Sequence, residues 1–276
     1  MKLVVFAHTP PPFHGQSYMV KLLLDGVRES VPALQVFHVD AKLSLNLEAI
    51  GKIRWLKLFL ILKYCAQAYF HRIVHGADHL YYVPAPGLRV ALYRDWIVMA
   101  LCRPIFGKTI LHWHAVGLGE WLEKSARPWE KKISQWLLGK VDLSIVLSEY
   151  GRADASRLSP RKIEVVPNGI PDPCPDFERS VFPHRQERLR RRCQEKPTIF
   201  TVLFAGVCTA AKGLFTALDA IALVNQRFHA RQMPVSIYLT VVGDFVLPEE
   251  REEFQDRIAR PDLNKPANGT EPQQLV

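Results

Sequence analysis

The sequence predicts an α/β fold with two Rossmann-like domains, each built around a mostly parallel sheet. Its 276 residues are enough for about two domains. Hydrophobic residues make up 48% and charged residues 23%, which excludes a disordered or fibrous chain. Short apolar runs alternate with segments of helical periodicity, the pattern of strands buried under crossover helices.

The first domain, residues 1–172, contains six such apolar runs. We expect strands at 2–8, 34–39, 80–83, 108–114, 141–147 and 163–166. Apolar residues at helical spacing predict helices between them, at 18–28, 52–74, 90–102 and 129–138. A strand, a tight loop and a helix at the amino terminus are the usual opening of a doubly wound domain.

The predicted helix 52–74 carries apolar residues all round its helical wheel. This arrangement favours a helix buried on every side over one that lies on a membrane. Lys57 and Lys63 keep the alternative of a peripheral contact with lipid open.

A basic, proline-rich linker is expected at residues 173–197, where an arginine-rich helix follows three prolines. The partial second domain, 198–260, has predicted strands at 198–205 and 235–242 and predicted helices at 214–228 and 248–260. Two strands with their helices cannot cover both faces and both edges of a parallel sheet, so the second domain is expected to be incomplete. Residues 261–276 have no apolar periodicity and are expected to be a disordered tail.

The net charge of +9 favours anionic partners such as nucleotides and phosphates. The linker arginines lack interleaved aromatic residues, so nucleic acid is not an expected partner. None of the five cysteines forms a CxxC pair, which favours a reducing compartment. The amino-terminal apolar run is too short for a signal peptide, and we therefore expect a cytoplasmic protein.

Two loops have the composition of phosphate-binding loops. Gly15 precedes the first helix, and Lys212 and Gly213 precede the helix of the second domain. A glycine lets backbone N–H groups approach a phosphate, and a lysine at a helix start adds a positive charge. No GxGxxG fingerprint is present, and a simple turn or a surface lysine remains the alternative at each position.

His112 and His114 are predicted to point to the same side of a strand. They could form a metal pair, place one polar histidine in a cleft, or be packed without a role. No acidic residue follows them directly to complete a metal site. A second pair, His71 and His75, lies one helical turn apart and is interpreted as a surface pair.

Six stretches together resemble the family 4 glycosyltransferases of GT-B architecture. They are 6–15 (FAHTPPPFHG), 109–114, 145–150 (IVLSEY), 163–170 (IEVVPNGI), 203–213 and 241–244. They occur in the family's order and spacing, and the resemblance covers nearly all of residues 1–260.

The resemblance implies a retaining sugar transfer from a nucleotide-sugar donor, without a cofactor or bound metal. The acceptor would be a glycan or a lipid-linked sugar, as in polysaccharide biosynthesis, at the inner face of a membrane or in the cytoplasm. His114 matches the family's catalytic histidine near the transferred sugar. Gly15, Gln16, Lys212 and Gly213 match the loops that bind the donor diphosphate.

The sequence departs from the family at Gln16, where a second glycine is common, and at Val207, where an arginine is usual. The family's glutamate pair has no counterpart after Asp244. Two other functions therefore remain open. One is a truncated, non-catalytic glycosyltransferase that binds an acceptor or a partner chain, and the other is a metal hydrolase using His112 and His114.

Overall fold

The computed structural model describes residues 1–11, 15–42, 54–195 and 198–259. The chain divides into two compact units, Met1–Pro171 and Asp172–Val276. The predicted tail at 261–276 lies outside the described residues.

The first unit contains a six-stranded sheet in which every neighbouring pair is parallel. Its strands are β1 (Lys2–Phe6), β2 (Gln35–Val39), β3 (His79–Tyr82), β4 (Lys108–Trp113), β5 (Leu143–Val146) and β6 (Ile163–Val165). The spatial order is β2-β1-β3-β4-β5-β6. The predicted α/β class with a Rossmann-like parallel sheet is confirmed.

The α-helices of the first unit cover the two faces of this sheet unequally. These helices are α1 (Gly15–Ser30), α2 (Arg54–His75), α3 (Arg89–Cys102), α4 (Leu118–Lys124), α5 (Pro128–Leu138) and α6 (Glu149–Ser156). Val20 and Leu24 of α1 pack with Tyr81 on one face, whereas buried residues of α2 to α6 form the core on the other. The strand order explains this, because right-handed crossovers place α2 to α6 opposite α1.

The structure corrects the expectation that the helix now labelled α2 is buried on all sides. Ile61, Cys65 and Ala68 face the core, but the opposite side of the helix is exposed. Phe59 and Ile73 on that side are 64% and 76% exposed. The apolar residues around the wheel therefore form two surfaces, and only one of them packs against the sheet.

The second unit contains a parallel pair of strands and four helices among its described residues. They are α7 (Phe177–Ser180), α8 (Phe182–Glu195), β7 (Ile199–Ala205), α9 (Leu214–Ala230), β8 (Ser236–Val242) and α10 (Pro248–Ile258). The Asn225 side chain on α9 accepts from the backbone N–H of Ile237 and donates to its carbonyl, both at 2.8 Å. This clamp fixes α9 against β8. The basic helix α8 is exposed along residues 182–194.

Among the residues that the structure describes, no helix is both long enough and apolar enough to cross a bilayer.

Candidate functional site

The carboxyl ends of the parallel strands meet at one edge of the first unit's sheet, where ligands bind in such folds. His114 follows the last residue of β4, and Gly15 begins α1 after the loop that leaves β1. Tyr81 belongs to the core cluster beneath α1 and contacts the ring of His112. The histidines and the start of α1 are therefore on the same face and at the same edge of the sheet.

His112 and His114 lie side by side at this edge. Their ring centroids are 4.2 Å apart and their planes are inclined by 36°, as expected for alternate residues of one strand. Nε2 of His112 and both ring nitrogens of His114 are buried without a hydrogen-bond partner among the described residues. Three polar atoms at the end of β4 are thus buried and unpaired within the described residues.

Tyr81 on β3 is the partner of the fourth ring nitrogen. Its hydroxyl lies 2.5 Å from Nδ1 of His112, and both side chains are buried. Burial raises the pKa of Tyr81, so the phenol keeps its proton. The hydroxyl and Nδ1 share a hydrogen bond in which the donor is set by the tautomer of His112, and Nδ1 is satisfied in either tautomer.

Both imidazoles are neutral at physiological pH. Burial, together with the neighbouring His114, lowers the pKa of His112 to about 3. Burial lowers the pKa of His114 to about 4. A neutral imidazole can donate one hydrogen bond and accept another, so the pair suits recognition of hydroxyl groups more than strong proton abstraction.

The backbone after β1 is held by residues at the end of β2. Asp40 accepts from the N–H of Thr9 at 2.9 Å and pairs with Lys42 at 2.8 Å. Burial opposes ionisation of Asp40, but the hydrogen bonds from Lys42 and Thr9 outweigh it and lower its pKa. Nε2 of His38 lies 2.8 Å from the carbonyl of Ala7. These contacts fix the start of the loop that leads to Gly15.

A carboxylate from α6 organises the turn that follows His114. Asp154 accepts from the N–H groups of Gly117 and Glu120 at 2.9 and 2.8 Å. A Cβ on Gly119 would lie 2.2 Å from the carbonyl oxygen of Asp154, so α4 can approach α6 only with glycine there. The backbone after His114 is therefore tied to α6.

Gly15 and Gln16 begin α1 on the open side of the first loop. Gly15 is exposed, and a Cβ there would meet no atom of the described residues within 4 Å. Gln16 is half-buried. The structure thus leaves room beside the backbone of Gly15.

In the second unit, the backbone that follows β7 lies very close to the backbone that follows β8. Gly206 and Gly243 end β7 and β8 with φ of +150° and +155°. A Cβ on Gly243 would lie 1.7 Å from the carbonyl oxygen of Gly206. The N–H of Cys208 donates to the carbonyl of Asp244 at 2.9 Å, and the Cys208 thiol is fully buried.

Lys212 and Gly213 lie in the turn between this loop and α9. Oγ1 of Thr209 accepts from the N–H of Lys212 at 3.2 Å, and Gly213 has a left-handed φ of +83°. The Lys212 side chain is exposed, and its ammonium makes no ion pair or hydrogen bond within the described part of the chain. The turn presents an unneutralised positive charge.

A metal site is not assembled from the residues that the structure describes, since no group of three His, Cys, Asp or Glu side chains converges there. His71 and His75 are not a free surface pair, which corrects the sequence interpretation. Both rings stack on Phe37 of β2, with centroids 5.1 and 4.7 Å from it. Their role in the structure is packing between α2 and β2.

Comparisons with known proteins found no matching family model and no matching curated protein. Thirteen chains of solved structures match. One is UDP-N-acetylglucosamine 2-epimerase from Rickettsia bellii, which is 12% identical with a TM-score of 0.31. The match covers 93% of this chain and 64% of that chain. Similarity at this level does not bear on activity.

Sequence reasoning singled out the two histidines but not Tyr81 or Asp154. Tyr81 has the appearance of an ordinary strand residue, and its pairing with His112 follows from the sheet order, which places β3 next to β4. Asp154 is separated from Gly117 by 37 residues. Neither contact leaves a local signal in the sequence.

Proposed function

We propose that this protein is a glycosyltransferase that moves a sugar from a nucleotide-sugar to a hydroxyl of a glycan or lipid-linked acceptor, with retention and without a metal. The main support is the pair of neutral histidines, whose ring nitrogens are buried, at the carboxyl edge of the parallel sheet. Three of their four ring nitrogens lack partners among the described residues. Buried polar atoms are normally hydrogen-bonded, and the hydroxyls of a bound sugar would supply the missing partners.

His114 is the proposed catalytic residue. With its pKa lowered to about 4, it is a weak base at neutral pH. Its role is therefore to orient a hydroxyl of the transferred sugar rather than to carry away a proton. His112, whose Nδ1 is hydrogen-bonded to Tyr81, positions His114 through their ring contact.

Gly15, Gln16, Lys212 and Gly213 are the proposed donor-binding residues. Negative charge grows on the diphosphate as the bond to the anomeric carbon breaks, and a fixed cation stabilises it. Lys212 can serve as that cation because no described carboxylate neutralises it. Gly15 leaves the backbone at the start of α1 open to a phosphate.

Donor binding is tested by calorimetric titration of the purified chain with UDP and with GDP. We expect one nucleotide to bind and the Lys212→Ala variant to bind it at least tenfold more weakly. Lys132→Ala removes another exposed lysine, on α5, and is expected to bind like the unmodified chain. Equal affinity of all three proteins would contradict the role of Lys212.

Catalysis is tested with UDP- and GDP-hexoses by measuring the release of nucleoside diphosphate in the presence of glycan and lipid-linked acceptors. His114→Ala is expected to lower the rate about a hundredfold or more while nucleotide binding is retained. Nucleotide binding without release from any donor would favour the non-catalytic alternative.

A further inference from the structure

The outward side of α2 is an apolar stripe. Between Leu56 and His75, nine side chains of α2 are exposed, and seven of these are apolar. The seven are Leu56, Phe59, Leu62, Ala66, Phe70, Ile73 and Val74. They recur every three to four residues and so form one continuous face, about 27 Å long.

A contiguous exposed apolar surface of this extent marks a binding surface. The core of the first unit does not need this face, because Ile61, Cys65 and Ala68 already seal α2 against the sheet. Phe70 contacts the rings of His71 and His75 on the same helix, but neither core cluster of the described residues includes any of the seven.

The charge of α2 indicates the kind of partner. The helix contains four Lys or Arg residues and no Asp or Glu. Lys63 lies within the stripe, exposed, and makes no ion pair or hydrogen bond with any residue that the structure describes. A protein partner would have to bring its own acidic residues, whereas an anionic bilayer offers acyl chains and negative headgroups together.

We propose that α2 lies in the interface of an anionic lipid bilayer, with Phe59, Phe70 and Ile73 inserted among the acyl chains. Lys63 contacts the headgroups. The helix lies parallel to the membrane plane, since its stripe runs along its whole described length. This contact is independent of the sugar chemistry proposed above.

The test is flotation of the full chain with two kinds of vesicle, phosphatidylcholine alone and phosphatidylcholine mixed with phosphatidylglycerol. We expect binding to the anionic vesicles and at least tenfold weaker binding to the neutral ones. Ile73→Glu places a charge at the most exposed position of the stripe and is expected to weaken anionic vesicle binding at least tenfold.

Leu223→Glu is the matched control. Leu223 is an exposed leucine of α9, and its replacement changes the net charge by the same amount as Ile73→Glu. This variant is expected to bind like the unmodified chain. The proposal is wrong if the unmodified chain does not float with anionic vesicles, or if Ile73→Glu floats equally well. Loss of a dimer in Ile73→Glu, without vesicle binding by the unmodified chain, would identify the stripe as a contact between two copies.

Discussion

A 2.5 Å hydrogen bond joins the hydroxyl of Tyr81 to Nδ1 of His112 across two neighbouring strands. In the register of β3 and β4, Tyr81 stands opposite Ile110, so His112 is its diagonal neighbour. One buried contact thus holds the ring against which His114 packs. The proposed catalytic histidine depends on a tyrosine that need not touch a substrate.

Tyr81→Phe should destabilise the first unit, because it leaves Nδ1 of His112 buried and unpaired. The expected loss is about 1–3 kcal/mol in the free energy of unfolding. Urea unfolding followed by tryptophan fluorescence measures it, since all six tryptophans precede residue 137. The double variant Tyr81→Phe with His112→Phe removes both partners, and we expect it to recover part of the loss. A double variant less stable than the sum of the single changes would contradict the pairing.

His112 and His114 should lower the free energy of unfolding in acid. The unfolded chain binds protons on them below about pH 6.5, whereas the folded chain does so only near pH 4 and below. Stability should therefore be complete above pH 6.5 and decline as the pH falls towards 4. Each histidine contributes a slope of at most about 1.4 kcal/mol per pH unit. His71, whose pKa is lowered by burial and by His75, adds in the same direction.

His114→Gln should flatten that decline, and chemical unfolding at a series of pH values between 4 and 7 measures the slope. If stability changed with pH by the same slope in the variant and in the unmodified chain, His114 would have to be protonated equally in the folded and the unfolded states.

The glycines that end β7 and β8 should differ sharply in their tolerance of alanine. Gly206→Ala meets no atom within 4 Å and carries only backbone strain, about 1–3 kcal/mol. Gly243→Ala also brings its Cβ against the carbonyl oxygen of Gly206, and we expect a loss of about 4 kcal/mol or more. Urea unfolding followed by far-ultraviolet circular dichroism compares the two variants. Equal losses of stability in the two variants would mean that the ends of β7 and β8 can move apart to accommodate the Cβ at residue 243 without a further loss in the free energy of unfolding.

The sequence was sufficient to predict the strands of the first sheet, because each is a short apolar run followed by a turn residue. It did not reveal α4 or α6. Helix α4 has only seven residues and α6 only eight, and both are held in part by Asp154, a tertiary contact. Helical periodicity is hard to detect over two turns.

The orientation of α2 was beyond the sequence for a different reason. Its apolar residues occupy every side of the wheel, so periodicity cannot distinguish the side facing the core from the side facing out. Only the packing of Ile61 and Cys65 against the sheet makes that distinction. The positions of His112 and His114 on one face followed from strand alternation alone, whereas their link to Tyr81 required the order of the strands.

The burial of Cys208 gives the second unit an internal chemical reporter. Its thiol is enclosed beside Gly243 and its pKa is raised by burial, so an alkylating reagent reaches it only when the ends of β7 and β8 part. Cys193 in the same unit is exposed and reacts at once. Cys65 and Cys102 are buried in the first unit in the same way as Cys208 is in the second. Mass spectrometry of a single alkylation time course can therefore follow the opening of each unit separately, without a label having been introduced.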